Sequence, residues 1–454
     1  MDMQTCPVFD ANSALYQNLG LLKVAETAAR KHGDLVILHT REDRDTYLVT
    51  GERGLDFWRQ HAGQLAAEFG DVTSSAMTMR LLLGENTEEA SWARVGLPMR
   101  RKLAGLAGSL ELWFDEALAR ATATFLDEAL APVADLRTLC RLWAVRATCH
   151  PIFGTAVNDS EMAEGIAQVQ VFHRFMFNRD ANAFKDADAL EEFRETRAFL
   201  DDAVRAGIAA ARAGENTILA HLLEAMPDDI RANDQIDHLR PLLFRILFER
   251  LGVDGLSLLW ALVHLAQDPG LADTIAKDVR DNGASSLATA VALETQRLYP
   301  ELPFLYRTTS RDLHFGAITV PAQATLLFSP FLLHRDERLW DEPTRFDPGR
   351  FDPGRVPNLA GHPGHFLPFG IGPNARRQTE RVTSQIASAL TAICASRSFG
   401  LAATTRPGDL RPVFRSILAP RGAVSLWWRP RGEARSRAQD EARSQTALCG
   451  ENSW

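Results

Sequence analysis

The sequence predicts a mainly α-helical protein with a small β portion. Residues 51–227 are rich in Ala, Leu, Glu and Arg and place apolar residues with a helical period, with breaks at Gly or Pro. Before them, two short segments alternate apolar and polar residues with the period of two that paired strands show. After residue 312, short apolar runs bounded by Gly and Pro predict further strands.

The composition is typical of a globular protein. The 454 residues are 46% hydrophobic and 24% charged, which is enough chain for a large buried core. The net charge of −8 argues against a nucleic-acid surface. Five cysteines are scattered without metal-ligand spacing, so we expect reduced thiols. We expect a cytoplasmic protein, because there is no signal-peptide pattern and no apolar run long enough to span a bilayer.

The first predicted elements are two strands, DLVILHT and DTYLVTG, joined by a charged turn at residues 41–45. After the helical bulk, the most apolar long run, residues 239–267, predicts one buried central helix. HFGAITVP and TLLFSP predict further strands, and a Pro- and Gly-rich meander follows over residues 340–364. Residues 429–454 are polar and predict a flexible tail.

An acid and a base three residues apart, Glu294 and Arg297, lie on one face of a predicted helix. This spacing by itself describes an ordinary surface pair. Three further motifs follow in order: an arginine in a strand, a Ser-Pro segment that ends in His-Arg-Asp, and Phe-x-Pro-x-Arg-Phe. They are carried by Arg307, residues 329–336 and residues 346–351.

The order and gaps of these motifs resemble the cytochrome P450 family, which has E-x-x-R-x-x-P, a strand arginine, S-P-x-x-x-H-R-D and F-x-P-x-R-F. The resemblance implies one domain of cytochrome P450 fold over residues 1–428. It also implies that Glu294, Arg297 and Arg350 form a buried charged triad that fixes the meander to the core. We assign these three residues a structural role.

The stretch FLPFGIGPNARRQTER, residues 366–381, resembles the haem-binding loop of this family, F-x-x-G-x-R-x-C-x-G. Aligned without a gap, Phe369 and Gly372 match, but Arg376 stands where the family has the Cys that binds the iron. Aligned instead on the Glu-Arg-Val that follows, the ligand position is Arg377. Both alignments place an arginine at this position.

No Cys occurs between Cys149 and Cys394. A guanidinium stays protonated and has no lone pair to give to a metal. We therefore expect no cofactor, with haem bound only through an atypical ligand. His362 and His365 precede the loop without a nearby acid or Cys, so we expect no metal site there.

The family's oxygen-activating motif, A/G-G-x-D/E-T-T, is altered as well. Aligned on the Trp-Ala-Leu of residues 260–262, its small pair is replaced by Glu249 and Arg250, and its Thr by Val253. Charged side chains at these positions would fill the space of the haem ring. The alternative is a shifted register in which the pair faces elsewhere. Residues 92–100 do not match the family's propionate-binding aromatic and arginine.

A retained triad with a lost ligand predicts a non-oxygenating biosynthetic protein. The chain resembles haem-free family members that bind and activate a glycosyltransferase in natural-product biosynthesis, so we expect a protein partner. Arg376, Arg377 and Arg381 form a basic spot that suits an acidic partner, or else a solvated helix start.

Two other functions remain open. One is a haem-independent enzyme that uses the emptied cavity, with Glu249, Asp254 or Arg376 as acid, base or anion clamp. The other is a haem-binding oxidoreductase or monooxygenase with atypical ligation.

Overall fold

Helices predominate in the structure, a computed structural model that describes residues 6–10, 14–39, 45–67, 84, 92–129, 134–167, 187–250, 255–352, 364–414 and 418–432. Short strands form four sheets in these ranges. The predicted fold class, mainly α with a small β portion, is confirmed. None of the described helices is both long enough and apolar enough to cross a membrane.

Some of the helices begin at a residue whose side chain caps the first turn. For example, Asp268 precedes the tenth helix and accepts a hydrogen bond from the Gly270 N–H, and Gly283 ends that helix with a φ of +75°. The helices are α1 (Ala14–His32), α2 (Gly51–His61), α3 (Leu97–Gly105), α4 (Ala107–Glu128), α5 (Leu136–Phe153), α6 (Ala187–Arg212), α7 (Ile218–Glu224), α8 (Ala232–Arg250), α9 (Leu256–Gln267), α10 (Pro269–Asn282), α11 (Ser286–Leu298), α12 (Pro330–Leu333) and α13 (Pro373–Ser396).

The strands are short, and most of them lie near the two ends of the chain. They are β1 (Val8–Asp10), β2 (Leu35–His39), β3 (Asp45–Val49), β4 (Leu65–Ala67), β5 (Ala134–Asp135), β6 (Leu305–Thr309), β7 (Leu313–Phe315), β8 (Ile318–Val320), β9 (Thr325–Phe328), β10 (Arg397–Leu401), β11 (Pro412–Phe414), β12 (Leu418–Pro420) and β13 (Ser425–Pro430). The largest sheet has the order β1-β2-β3-β9-β6-β4.

The predicted N-terminal strand pair is confirmed. Strands β2 and β3 are antiparallel, with Leu35 opposite Val49 and His39 opposite Asp45. The strands predicted after residue 312 are confirmed as β7, β8 and β9, and β9 joins the N-terminal pair by running parallel to β3. The turn predicted at residues 41–45 lies mostly outside the described residues.

The prediction of one central helix over residues 239–267 is wrong. The run is divided between α8, which ends at Arg250, and α9, which begins at Leu256. Gly255 precedes α9 with a φ of +64°, which lies outside the helical region. A Cβ at this position would lie 2.1 Å from the carbonyl oxygen of Cys140, so close backbone packing favours glycine here. Residues 251–254 lie outside the described residues.

The chain divides into two compact units, one of Met1–Ala66, Leu126–Leu139 and Leu256–Trp454, the other of Ala67–Phe125 and Cys140–Gly255. In the first, α9 is almost wholly buried. In the second, a core of apolar side chains includes Leu200 of α6 and Leu243 and Phe244 of α8. The predicted extent of a single domain, residues 1–428, stays a prediction. Strand β13 continues to Pro430, so the predicted tail begins within a strand.

The structure brings Glu294, Arg297 and Arg350 together. Arg297 donates from Nε and Nη2 to the two carboxylate oxygens of Glu294, at 2.6 and 2.7 Å, and neither side chain is exposed to solvent (0% each). The Nε of Arg350 lies 3.5 Å from Oε1 of Glu294, which also accepts a hydrogen bond from the Asp347 N–H at 2.8 Å. The three charged groups thus meet at one carboxylate.

The remaining donors of Arg297 fix the meander. Its Nη1 donates to the carbonyl oxygens of His334 and Pro343, both at 2.7 Å, and its Nη2 donates to that of Arg345 at 3.0 Å. A guanidinium has five N–H donors, and here each has an acceptor. Full pairing lets this charge stay buried, and it ties α11 to the chain between residues 334 and 345.

We predict that Glu294→Ala lowers the free energy of unfolding by about 3–5 kcal/mol, because it leaves the Arg297 guanidinium buried without its counter-charge. Chemical denaturation of both proteins measures the difference. The matched control is Glu191→Ala, which removes an exposed pair with Arg194 at the same spacing and is expected to cost less than about 1 kcal/mol. Equal effects of the two substitutions would show that the triad does not hold the fold.

Candidate functional site

The loop of residues 364–372, which leads into α13, is held by side chains from elsewhere in the same unit. Arg59 of α2 donates from Nη2 to the carbonyl oxygen of Gly364 at 2.6 Å. Phe366 is buried among apolar side chains that include Trp340 and Phe351. These contacts place the backbone of the loop before Gly370 is reached.

His334 connects the loop to the buried triad. Its Nδ1 donates to the carbonyl oxygen of Arg297 at 2.9 Å, and its Nε2 accepts from the Leu367 N–H at 2.9 Å. Burial, followed by the positive charge of Arg297, lowers the pKa of His334 well below its ordinary value. The ring is therefore neutral with the proton on Nδ1, which is the one form that can make both hydrogen bonds.

Two glycines shape the end of the loop. Gly370 has a φ of +85°, and a Cβ there would lie 2.8 Å from Cδ1 of Leu305. Gly372, with a φ of +122°, is the residue before the first turn of α13, and Pro373 follows it. Backbone in these conformations strains any residue with a side chain, so the glycines fit the loop for geometric reasons.

The arginines at the ligand position lie at the start of α13. Arg376 is 67% exposed, and its Nε lies 2.9 Å from Oε1 of Glu380, one helical turn later. Arg377 is also exposed, whereas Ala375 is buried. In either alignment, the residue in place of the iron-binding Cys is therefore a cation on an accessible face of the helix.

The buried cysteines do not replace the missing ligand. Cys149 is fully buried in the apolar core of the second unit, and burial raises the pKa of its thiol far above the ordinary value. Cys394 is fully buried near the end of α13, where burial raises its pKa to about 12. It lies roughly 27 Å along the helix axis from Arg376, at 1.5 Å per residue. The donor set of this loop does not fit a haem thiolate.

The acid and base candidates from sequence are not brought together in the described residues. Asp254 and the side chain of Glu249 lie outside them. Arg250 belongs to the second unit, where it makes an ion pair with Glu111 at 2.5 Å and stacks on the ring of Phe114 at 3.9 Å. Both partners of Arg250 lie on α4. The two alignments of this segment stay open.

His365 packs edge-on against Trp340, with ring centroids 4.6 Å apart, and burial lowers its pKa. Its ring is part of the aromatic packing at the start of the loop. His362 lies outside the described residues.

The sequence did not single out Glu301, a carboxyl in the turn between α11 and β6. Its Oε1 accepts a hydrogen bond from Oγ of Ser257 at 2.9 Å, and Arg381 acts on its charge. The three residues are far apart in sequence, and no spacing rule relates them. An acid between the Tyr-Pro and Leu-Pro of the segment YPELPF is the one local signal that could have drawn attention to it.

We predict that His334→Phe loosens the loop without removing a charge. Phenylalanine fills the ring's space but leaves the Arg297 carbonyl and the Leu367 N–H without partners, at about 1–3 kcal/mol each. The variant should unfold at a lower temperature and exchange the Leu367 amide hydrogen faster. His314→Phe, at an exposed strand position, is the control. Unchanged exchange at Leu367 would show that His334 does not position the loop.

The family model for cytochrome P450 matches residues 109–375 of this chain. This is more than half of the sequence, and the match ends next to Arg376. It covers the helix of the buried pair, the meander and the loop, so it includes the motifs that carried the resemblance.

Individual relatives match over shorter segments. Cytochrome P450 71B25 of Arabidopsis thaliana is 30% identical over 167 residues, which cover 34% of this chain and 32% of that protein. The mitochondrial sterol 26-hydroxylase of Homo sapiens is 27% identical, over 38% of this chain and 36% of its own length. Cytochrome P450 315a1, mitochondrial, of Drosophila melanogaster is 24% identical over 64% of this chain and 57% of that protein. The chain thus spans about a third of the first two relatives. Its cytoplasmic location stays a prediction.

The comparisons correct one expectation from sequence. The expectation of no cofactor is wrong, because the family model and the relatives are those of haem cytochromes, and haem is the cofactor that they imply. The missing Cys still excludes the family's loop thiolate as its ligand. Because the family model matches more than half of its length, the chain belongs to the cytochrome P450 family.

Proposed function

We propose that this protein acts in a biosynthetic pathway by binding and regulating another enzyme, and that it does not carry out thiolate-dependent oxygenation. The observation that supports this proposal is the residue at the ligand position, Arg376 or Arg377, in the first turn of α13. An arginine cannot donate a lone pair to iron. Any haem in this fold therefore takes its protein ligand from another residue.

The loss of the thiolate matters because of what that ligand supplies. In haem-thiolate proteins the sulfur donates electron density that favours cleavage of the O–O bond. Burial raises the pKa of the Cys149 thiol far above its ordinary value and that of Cys394 to about 12, so both thiols stay protonated. The scaffold of the family is thus present without the group that drives its usual reaction.

The start of α13 supports the partner part of the proposal. Arg376 and Arg377, which we call the basic face, are both exposed in a protein of net charge −8. The ion pair of Arg376 with Glu380 is exposed and contributes little to stability. Carboxylates of a partner can replace Glu380 there at low cost. Arg381 is less accessible than these two residues, so we leave it out of the basic face.

Family membership favours one second candidate, a haem-binding oxidoreductase with an atypical ligand. The two candidates differ in which protein converts a substrate. A regulator raises the rate of another enzyme, whereas an oxidoreductase converts its substrate by itself. A haem-independent acid–base enzyme gains no support, because Arg376 is exposed and paired and the other candidate side chains lie outside the described residues.

We predict that the protein shows no thiolate-type Soret band when it is reduced under carbon monoxide after expression with added haem precursor. Haem content is measured in parallel, because the prediction concerns the ligand and not the amount of haem. A thiolate-type band in the wild type would overturn the proposal. In that case serine variants of each of the five cysteines, Cys6, Cys140, Cys149, Cys394 and Cys449, would identify the thiolate, because the band would disappear in one of them.

We predict that the double variant Arg376→Glu and Arg377→Glu weakens the activating complex about tenfold or more, a loss of about 1.4 kcal/mol or more. Enzymes encoded beside this chain are purified and assayed with and without it, and the one it activates is titrated with each variant. The difference in affinity between the wild type and the double variant should be smaller at high salt, because salt screens exposed charges.

Arg280→Glu is the matched control, since Arg280 is an exposed arginine of α10 in the same unit. It is expected to leave activation unchanged. If the double variant activates as well as the wild type does, the basic face is not the docking surface. If no neighbouring enzyme responds and the protein alone turns over, the oxidoreductase is correct.

A further inference from the structure

Three side chains of the first unit are in direct contact between α9 and the end of α11. The indole of Trp260 lies face to face with the phenol ring of Tyr299, with ring centroids 3.9 Å apart and an angle of 5° between the planes. The Tyr299 hydroxyl lies 3.0 Å from Nε2 of His264, which is one turn after Trp260 on α9. The phenol therefore has an aromatic electron donor on its face and a base at its oxygen.

The other contacts of these rings decide which of them can lose a proton. The Trp260 indole N–H donates to the carbonyl oxygen of Leu418 at 2.9 Å, and a backbone carbonyl is too weak a base to take that proton. The Tyr299 hydroxyl faces an imidazole, which is a proton acceptor. His264 stacks on Phe346, with ring centroids 3.9 Å apart, so its ring is held in place. Loss of an electron can thus be coupled to loss of a proton at Tyr299, and not at Trp260.

The resting protonation states of the pair suit this transfer. Burial raises the pKa of Tyr299 to about 12, so the phenol keeps its proton. Burial lowers the pKa of His264 to about 3, so the imidazole is neutral. A neutral imidazole with its proton on Nδ1 accepts from the phenol at Nε2. A phenol that has lost an electron is a far stronger acid than a resting phenol, so it gives its proton even to an imidazole of lowered pKa.

The guanidinium of Arg335 favours the same outcome. It lies 5.9 Å from the centroid of the Tyr299 ring. Like charges at such a distance repel one another, so a positive charge on the oxidised ring is disfavoured. Transfer of the phenol proton to His264 takes that charge off the ring.

We propose that Trp260, Tyr299 and His264 form a redox relay that carries an oxidising equivalent out of the core. A one-electron oxidant of high potential, such as a radical derived from peroxide, takes one electron from the indole of Trp260. Tyr299 then gives one electron to Trp260 and its phenol proton to Nε2 of His264, which leaves a neutral tyrosyl radical and an imidazolium. A one-electron reductant such as ascorbate gives an electron to the tyrosyl oxygen, the proton returns from His264, and the resting state is restored.

The exposure of the rings gives the relay a direction. The side chain of Trp260 is buried, at 1% exposure, whereas Tyr299 and His264 each keep some exposure to solvent. The oxidising equivalent therefore moves from a buried ring to one that a small reductant can approach. The relay does not depend on the proposed partner role.

The decisive experiment oxidises the purified protein with photogenerated tris(bipyridine)ruthenium(III) and follows the radicals by transient absorbance and electron paramagnetic resonance. The wild type should form a tyrosyl radical, identified with ring-deuterated tyrosine. Its formation should be slower in heavy water, because a proton moves with the electron. Tyr299→Phe should lose this radical. His264→Phe should lose it as well and leave a tryptophan radical, and Trp260→Phe should slow its formation.

Tyr47→Phe, which removes a tyrosine of β3 in the same unit, is the control and should keep the radical. The proposal is overturned if the wild type forms no tyrosyl radical or if Tyr299→Phe keeps it, since another tyrosine then carries it. It is also overturned if His264→Phe or Trp260→Phe forms the radical as fast as the wild type does, because the rings then serve packing alone.

Melting curves show whether each variant is folded. If a variant unfolds, isotopic labelling of the histidine nitrogens in the wild type decides instead. The tyrosyl radical should then show a magnetic coupling to an imidazole nitrogen, because its oxygen stays hydrogen-bonded to His264. Absence of this coupling overturns the proposal.

Discussion

The buried pair of Glu294 and Arg297 is the interaction on which the rest of the described architecture depends. A buried charge is tolerated in a protein core only if it is paired and its hydrogen-bonding groups are satisfied. Arg297 meets this condition because all five of its N–H groups have acceptors. Three of these acceptors are backbone carbonyls of a segment with little regular structure. That segment is therefore fixed by one side chain, and not by a sheet or a helix of its own.

The same constraint continues to the loop before α13. The backbone carbonyl of Arg297 accepts from His334, and the other ring nitrogen of His334 accepts from the Leu367 N–H. With Arg59 on the carbonyl of Gly364, these contacts set the path of the loop from outside it. None of them involves the residue at the ligand position. The scaffold can therefore keep its shape when the ligand changes, which explains how a retained loop and an absent Cys occur in one chain.

This separation of scaffold and chemistry shapes the functional conclusion. Family membership follows from the motifs that hold the fold, and it implies haem. The family's reaction depends on the residue that binds the iron, and in this chain that position carries an exposed arginine. An exposed arginine pair on a rigidly placed helix suits recognition of another protein better than it suits binding of iron.

The sequence alone determined the fold class and the N-terminal strand pair, because both rest on periodicity. The members of the triad followed from the resemblance of the ordered motifs to the cytochrome P450 family. The sequence also determined that the loop contains no thiolate, since composition does not depend on folding. Only the tertiary structure decided that the central apolar run is divided between α8 and α9, where Gly255 has a positive φ and a Cβ would lie 2.1 Å from the carbonyl oxygen of Cys140. It also decided that Arg250 pairs with Glu111 and that the hydroxyl of Ser257 donates to the carboxylate of Glu301. Contacts between residues far apart in the chain follow from how helices pack, and no local pattern encodes them.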